Sequence, residues 1–365
     1  MPEPLKNLYS QEVVSSIARH CNAATPNFDQ NRFIDRVLQN DWQELELKDR
    51  MHRLAEMLGK FLSKNYPKAL DAVLQVEKNY SGLVHMCFPD FVEIFGLAEA
   101  DFDLSMAALE IMTERSSSEF AIRPFILRYP EKTMKKMLAW SKSNNYHVRR
   151  LATEGCRPRL PWAMALPEYK KDPSIVLKTI MHLIDDEELY VRRSVANNLN
   201  DISKDNAKEV ISIVSKYFSR PPSDRSKEVD WVIKHACRGL LKQGNKEVLL
   251  LFGYANPNHI SVNKFISDRS VKLGEHLNFS FNLQTVKKSL GNLRVEFIIE
   301  FMKANGKTAG KIFKVCEGNY YESEKAISKY FSFKKISTRK YYLGEHQITI
   351  VVNGEKFESL KFKLI

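Results

Sequence analysis

An internal repeat narrows the fold of this chain more than any other feature. Residues 133–140 (TMKKMLAW) run through a polar stretch into Tyr146, His147, Val148, Arg149 and Arg150. In the same register 43 residues later, residues 176–183 (VLKTIMHL) run through an acidic stretch into Leu189, Tyr190, Val191, Arg192 and Arg193. A fainter copy around Trp231, Val232 and Lys234 follows 41 residues after the second. A period of ~40–47 residues with two helices per unit is that of HEAT and armadillo repeats. Such helix pairs stack into a solenoid because one pair cannot bury its apolar face alone.

The surrounding sequence agrees with this as far as an Asn256-Pro257-Asn258 turn signal. Phe33, Val37 and Leu38 recur at helical spacing, as do Leu54, Met57, Leu58, Phe61 and Leu62, and then Leu104, Ala107, Ala108 and Ile111. Asp103, Pro130 and Pro173 read as helix starts. Beyond the turn the apolar period becomes two: Leu277, Phe279, Phe281 and Leu283, then Leu293 to Phe301, then Ile348, Ile350 and Val352. An Asn353-Gly354 hairpin signal and a last strand over 357–364 close the pattern. About seven short strands in roughly 100 residues describe an immunoglobulin-like sandwich. The chain therefore reads as an all-α HEAT-like repeat solenoid over residues 1–258, followed by a small all-β immunoglobulin-like sandwich over 259–365.

Charge and proline divide at the same place. All 14 prolines lie at or before Pro257. Residues 260–365 hold 19 Lys and Arg against 10 Asp and Glu, a net of +9 of the whole chain's +12. A basic excess of this size points to a polyanionic partner. The five cysteines (Cys21, Cys87, Cys156, Cys237, Cys316) lie far apart with no CxxC pair. That argues against a zinc site or a disulfide framework and for a cytoplasmic protein. No apolar run approaches ~18 residues and the first six residues carry no signal-peptide pattern, so no membrane association is expected. The nine histidines are scattered, with His147 alone near the residues of interest and read as a cap or surface group. No Gly-rich phosphate loop or GxSxG is present, and neither a metal nor a cofactor is expected.

Chemistry concentrates in two stretches, 116–125 (SSSEFAIRPF) and 148–162 (VRRLATEGCRPRLPW). Arg150 and Glu154 are four apart and share a helix face. Gly155 ends that helix, and Arg157 and Arg159 follow in a proline-stiffened loop carrying Trp162. Arg and Trp together can grip phosphates and stack on a base or sugar. The plainer reading of the Val-Arg-Arg positions pairs Arg149, Arg150, Arg192 and Arg193 with the acidic turn 185–188 (DDEE); the functional one makes them a ladder of phosphate contacts.

These two stretches, in a helical repeat of this period, resemble the AlkC branch of the DNA alkylation-repair glycosylases, and residues 47–58 (LKDRMHRLAEML) resemble that family's N-terminal region. The likeness covers roughly residues 1–250. It implies excision of cationic N3-methylated purines, chiefly 3-methyladenine, from double-stranded DNA without flipping the base out of the helix. It also implies that Glu119 and Glu154 stabilise the sugar cation and place the water. Trp162 completes the catalytic set by contacting the exposed sugar or base edge. Arg123, Arg149, Arg150, Arg157, Arg159, Arg192, Arg193 and Lys234 are then the DNA contacts of the repeats. Some AlkC-like proteins carry an immunoglobulin-like domain, and here Lys334, Lys335, Arg339 and Lys340 are expected to touch phosphates. A monomer with no obligate protein partner is expected. The competing readings are a non-catalytic HEAT scaffold and an RNA-binding repeat protein. The run from Glu154 to Trp162 disfavours the scaffold, and no RNA-recognition aromatic motif supports the last.

Overall fold

The structure, a computed structural model, describes residues 3–39, 41–336 and 339–365. Met1 and Pro2, part of the stretch read for a signal peptide, lie outside the described residues. Helices occupy the chain as far as Leu251 and strands begin at Ile260. Two compact units result: residues up to Ala207 together with Ser226–Ala236, and Lys208–Arg225 together with Cys237–Ile365.

The first unit is built of stacked helices whose starts follow local chemistry. Ser10, Asp29 and Asn65 each cap a helix by accepting from the backbone N–H three residues on. Asn145 caps the Tyr146–Glu154 helix by accepting from His147 N at 2.9 Å. Pro130 opens the Pro130–Trp140 helix and Pro173 caps the Ser174–Ile180 helix. Asp103 falls in the first turn of the Phe102–Met112 helix, one residue inside its start. The repeat register is visible in burial. Val148, Val191 and Val232 are all buried, and the Tyr146–Glu154, Leu189–Ile202 and Lys227–Ala236 helices that carry them pack side by side.

Among the described residues the second unit holds eight strands: β1 (Ile260–Ser267), β2 (Ser270–Val271), β3 (His276–Thr285), β4 (Gly291–Met302), β5 (Thr308–Tyr320), β6 (Glu324–Ser332), β7 (Gly344–Val352) and β8 (Glu355–Leu364). One sheet has the order β1-β3-β6 and the other β2-β8-β7-β4-β5. The alternating residues seen in the sequence form a shared core, with Leu277, Phe279, Phe281 and Leu283 of β3 joining Leu293 to Phe301 of β4 and Ile348, Ile350 and Val352 of β7. Asn353 and Gly354 make the β7–β8 turn with φ of 46° and 82°, the doubly left-handed pair that a two-residue hairpin needs and Asn-Gly tolerates best.

Candidate active site

The Tyr146–Glu154 helix sets Arg150 and Glu154 one turn apart, with Arg150 Nη2 3.6 Å from Glu154 Oε1. The segment leading into the Ile122–Arg128 helix brings Glu119 to the same guanidinium, and Arg150 Nη1 donates to Glu119 Oε2. Ser117 Oγ donates to that oxygen at 2.7 Å and accepts from Arg150 Nη1 at 2.9 Å. One arginine thus joins two carboxylates that are 35 residues apart in the chain. Its guanidinium also lies 5.0 Å from the Tyr190 ring centre. Burial lowers the Arg150 pKa, but Glu154 and Glu119 outweigh that and hold it above its ordinary value.

Beyond Glu154 the chain turns at Gly155, and the reason is space. Its φ is −61°, ordinary for any residue, but an added Cβ would come within 2.7 Å of Ile122 Cγ2. The turn sends Arg157 back inward. Its Nη1 donates to Glu154 Oε1 at 2.6 Å and its Nε to Asp201 Oδ2 at 2.8 Å. Lys204 Nζ donates to Asp201 Oδ1 at 2.9 Å, and Ser194 Oγ donates to Glu154 Oε2 at 2.5 Å. Glu119, Glu154 and Asp201 are therefore met by Arg150, Arg157 and Lys204, three negative charges against three positive. Both oxygens of Glu154 are engaged. Every hydrogen bond to the Glu119 carboxylate falls on Oε2, so among the described residues Oε1 has no donor and can accept from a ligand or water. Cys156 is fully buried and burial pushes its thiol up to about 12, so it is no nucleophile.

Trp162 is the outlier of the loop. It is 63% exposed and holds φ at +64°, a left-handed conformation costing a non-glycine residue roughly 1–2 kcal/mol. An exposed ring gains little from packing to offset that strain. Trp162→Gly is therefore expected to hold or raise the thermal midpoint of the chain. A fall of several degrees in a melting curve would instead make the ring a packing element.

The remaining positions divide by burial. Arg123 is fully buried, and its Nη1 donates to the carbonyls of Gly155 and Arg157 and its Nε to that of Met164. Burial lowers its pKa to about 10. Arg149 is clamped by Asp186 at 2.6 and 3.1 Å and by Glu187 at 3.3 Å. Arg192 donates to the carbonyls of Asp186 and Glu187. Arg123, Arg149 and Arg157 are thus internal struts, a correction to their reading as phosphate ligands: a buried guanidinium must be matched inside the protein. For Arg149 the acidic-turn reading holds. Arg159 sits at the surface in a two-bond pair with Asp205 at 2.9 and 2.6 Å. Arg193 is exposed and Lys234 half-buried. Lys334, Lys335 and Lys340 are exposed, whereas Arg339 lies over the Phe301, Phe313 and Tyr341 rings at 4.6, 5.8 and 5.7 Å. His147 is half-buried in the first turn of its helix, beside Tyr146 and Tyr190.

Sequence reasoning missed Ser194, Asn198 and Asp201, which supply the far wall of the cluster. All three are buried at i, i+4 and i+7 of the Leu189–Ile202 helix. A polar stripe on the face that an apolar helix turns inward was the available signal.

A stacked helical repeat that gathers Glu119, Glu154 and Asp201 around two arginines, with the exposed Trp162 in the following loop, and then an immunoglobulin-like module define a two-part repeat protein with a largely buried carboxylate cluster. Residues 106–240 match the family model of the DNA alkylation repair enzymes, and residues 261–365 match that of the YhaZ C-terminal Ig-like domain. The chain is 42% identical to the uncharacterized protein YhaZ of Bacillus subtilis (strain 168), covering 99% of both chains. It is also similar to Pseudomonas fluorescens alkylpurine DNA glycosylase AlkC, solved bound to DNA containing an abasic site analog, with 34% identity, a TM-score of 0.92 and all of both chains covered. The chain belongs to the AlkC-like family of DNA alkylation repair enzymes.

Proposed function

We propose that this chain is a DNA glycosylase of base excision repair that hydrolyses the N-glycosidic bond of small cationic alkylpurines, chiefly 3-methyladenine, in duplex DNA. The observation that carries the reading is the Glu119–Arg150–Glu154 cluster, with one Glu119 oxygen open to a ligand. The full-length likeness to AlkC supports the choice of substrate class.

The residues suit the chemistry. An N3-methylated adenine already carries positive charge, so its bond to C1′ breaks with both electrons passing to the base, and no general acid is needed. Positive charge then grows on the sugar, and water must add at C1′. In this reading Glu119 accepts the water at Oε1, takes its proton as the C–O bond forms and returns it to solvent. Glu154 keeps Arg150 and Arg157 in place and adds negative potential. Near neutrality of the whole cluster makes placement of the Glu119 charge matter more than total charge. Trp162 borders the sugar or base edge from the surface. The exposed Trp162 ring suits contact with a lesion that stays within the helix rather than one extruded from it. The test is chromatography of bases freed from methylated duplex DNA: free 3-methyladenine supports the proposal, and tight DNA binding with no base released points to a scaffold.

The immunoglobulin-like module over 259–365 is proposed to add DNA grip through Lys334, Lys335 and Lys340. Replacing all three by Ala should flatten the plot of log affinity against log salt by about 0.9 for each phosphate that the variant no longer neutralises. An unchanged slope would remove these lysines from the interface. Arg339, held on aromatic rings, is left out of that set.

A further inference from the structure

Lys48 takes no part in the chemistry above, yet it touches both sides of the site. It lies in the first turn of the Leu47–Phe61 helix, and its Nζ donates to the Trp162 carbonyl at 2.7 Å across 114 residues of sequence. The same ammonium lies 4.8 Å from the ring centre of Phe120, the residue after Glu119. It thus fixes the backbone of Trp162 at the residue whose φ is +64° and contacts the segment that delivers the open carboxylate.

The other side of Lys48 is also organised. One turn along its helix, His52 Nδ1 lies 3.1 Å from Asp90 Oδ2, and Asp90 is buried in the Cys87–Phe95 helix. Burial raises the carboxyl pKa of Asp90 and takes that of Glu93 up to about 7, and the charge of Lys48 works against both shifts. The Lys48 charge therefore favours the ionised forms of Asp90 and Glu93, while its Nζ holds the Trp162 carbonyl.

We propose that Lys48 is a positioning residue that sets the Trp162 loop against the Glu119 segment, and so governs the rate of base release. This rests on the glycosylase reading of Glu119 and Trp162. A hydrogen bond to a strained carbonyl and a cation over a neighbouring ring constrain position, and small displacements of a reacting group are costly in rate. A lysine serving only as a phosphate contact would act on affinity instead.

The experiment uses the full chain and the variants Lys48→Met, Lys48→Gln and Lys48→Arg. Three quantities are measured: single-turnover release of 3-methyladenine, duplex affinity over a salt series, and Trp162 emission. The emission is taken as the difference between each variant and the same variant carrying Trp162→Phe. We expect Lys48→Met to slow release on the order of tenfold with affinity within about twofold, and to shift the Trp162 emission. Lys48→Arg, which keeps a charged donor, should recover most of both. If Lys48→Met does not fold, Lys48→Gln carries the same comparison. Wild-type rate with unchanged emission in the variants overturns the proposal, as does a loss confined to affinity with a flatter salt slope. If the wild type frees no base, the glycosylase reading fails, while the emission comparison still decides whether Lys48 sets the loop.

Discussion

Replacing Glu119 by Gln is expected to lower single-turnover release of 3-methyladenine by at least about 100-fold, the usual scale for losing a positioned general base. DNA affinity should remain close to that of the wild type. Gln is nearly isosteric, and its carbonyl oxygen can still accept from Ser117 and Arg150. Arg150 retains Glu154 as a partner, so no buried charge is stranded. The variant loses the negative charge beside the sugar and the basicity that takes up the water's proton, both of which act only as the transition state forms. The mark of this outcome is a fallen rate with an intact melting curve. A rate within a few-fold of wild type would move the water-activating role away from Glu119.

The largest effect on stability is expected from Arg157→Ala. The Arg157 side chain is almost completely buried between Glu154 and Asp201, where burial lowers its pKa and both carboxylates outweigh that to raise it. Removing one partner of a buried ion pair costs about 3–5 kcal/mol because the other charge is left unmatched. At roughly 2–4 °C per kcal/mol for a unit of this size, the thermal midpoint should fall by about 10 °C. Melting curves of the wild type and the variant measure the loss. A loss of under a degree or two would mean that Lys204 and Arg150 already suffice for the two carboxylates. Paired with Glu119→Gln, this variant separates the group proposed to act on the substrate from the group that holds the site together.

The sequence reveals what depends on local period and hides what depends on distant pairing. The 43-residue repeat, the switch to alternation after Pro257 and the Asn353-Gly354 turn each express a backbone rule within a few residues, and all appear in the fold. Arg150 and Glu154 are legible as a pair because they are one helical turn apart. Arg157 reads as an outward phosphate ligand in the sequence because its partner Asp201 lies 44 residues away, beyond any helical spacing. Arg123 misleads for the same reason, since its acceptors are carbonyls of the following repeat. Gly155 does end its helix, as the sequence indicates, but the Ile122 side chain that excludes a Cβ there lies 33 residues away and is not visible in it. The strain at Trp162 leaves no trace in residue type, because nothing about a tryptophan announces a left-handed backbone.

The role proposed for the unengaged Glu119 oxygen is to drive hydrolysis of a cationic base from duplex DNA. Its most direct test is a side-by-side single-turnover assay of wild type and Glu119→Ala on one duplex carrying 3-methyladenine, following both free base and abasic strand. The wild type is expected to give equal amounts of free base and abasic site, and the variant a rate at least about 100-fold lower. No base from the wild type, or equal rates from the two proteins, would contradict it.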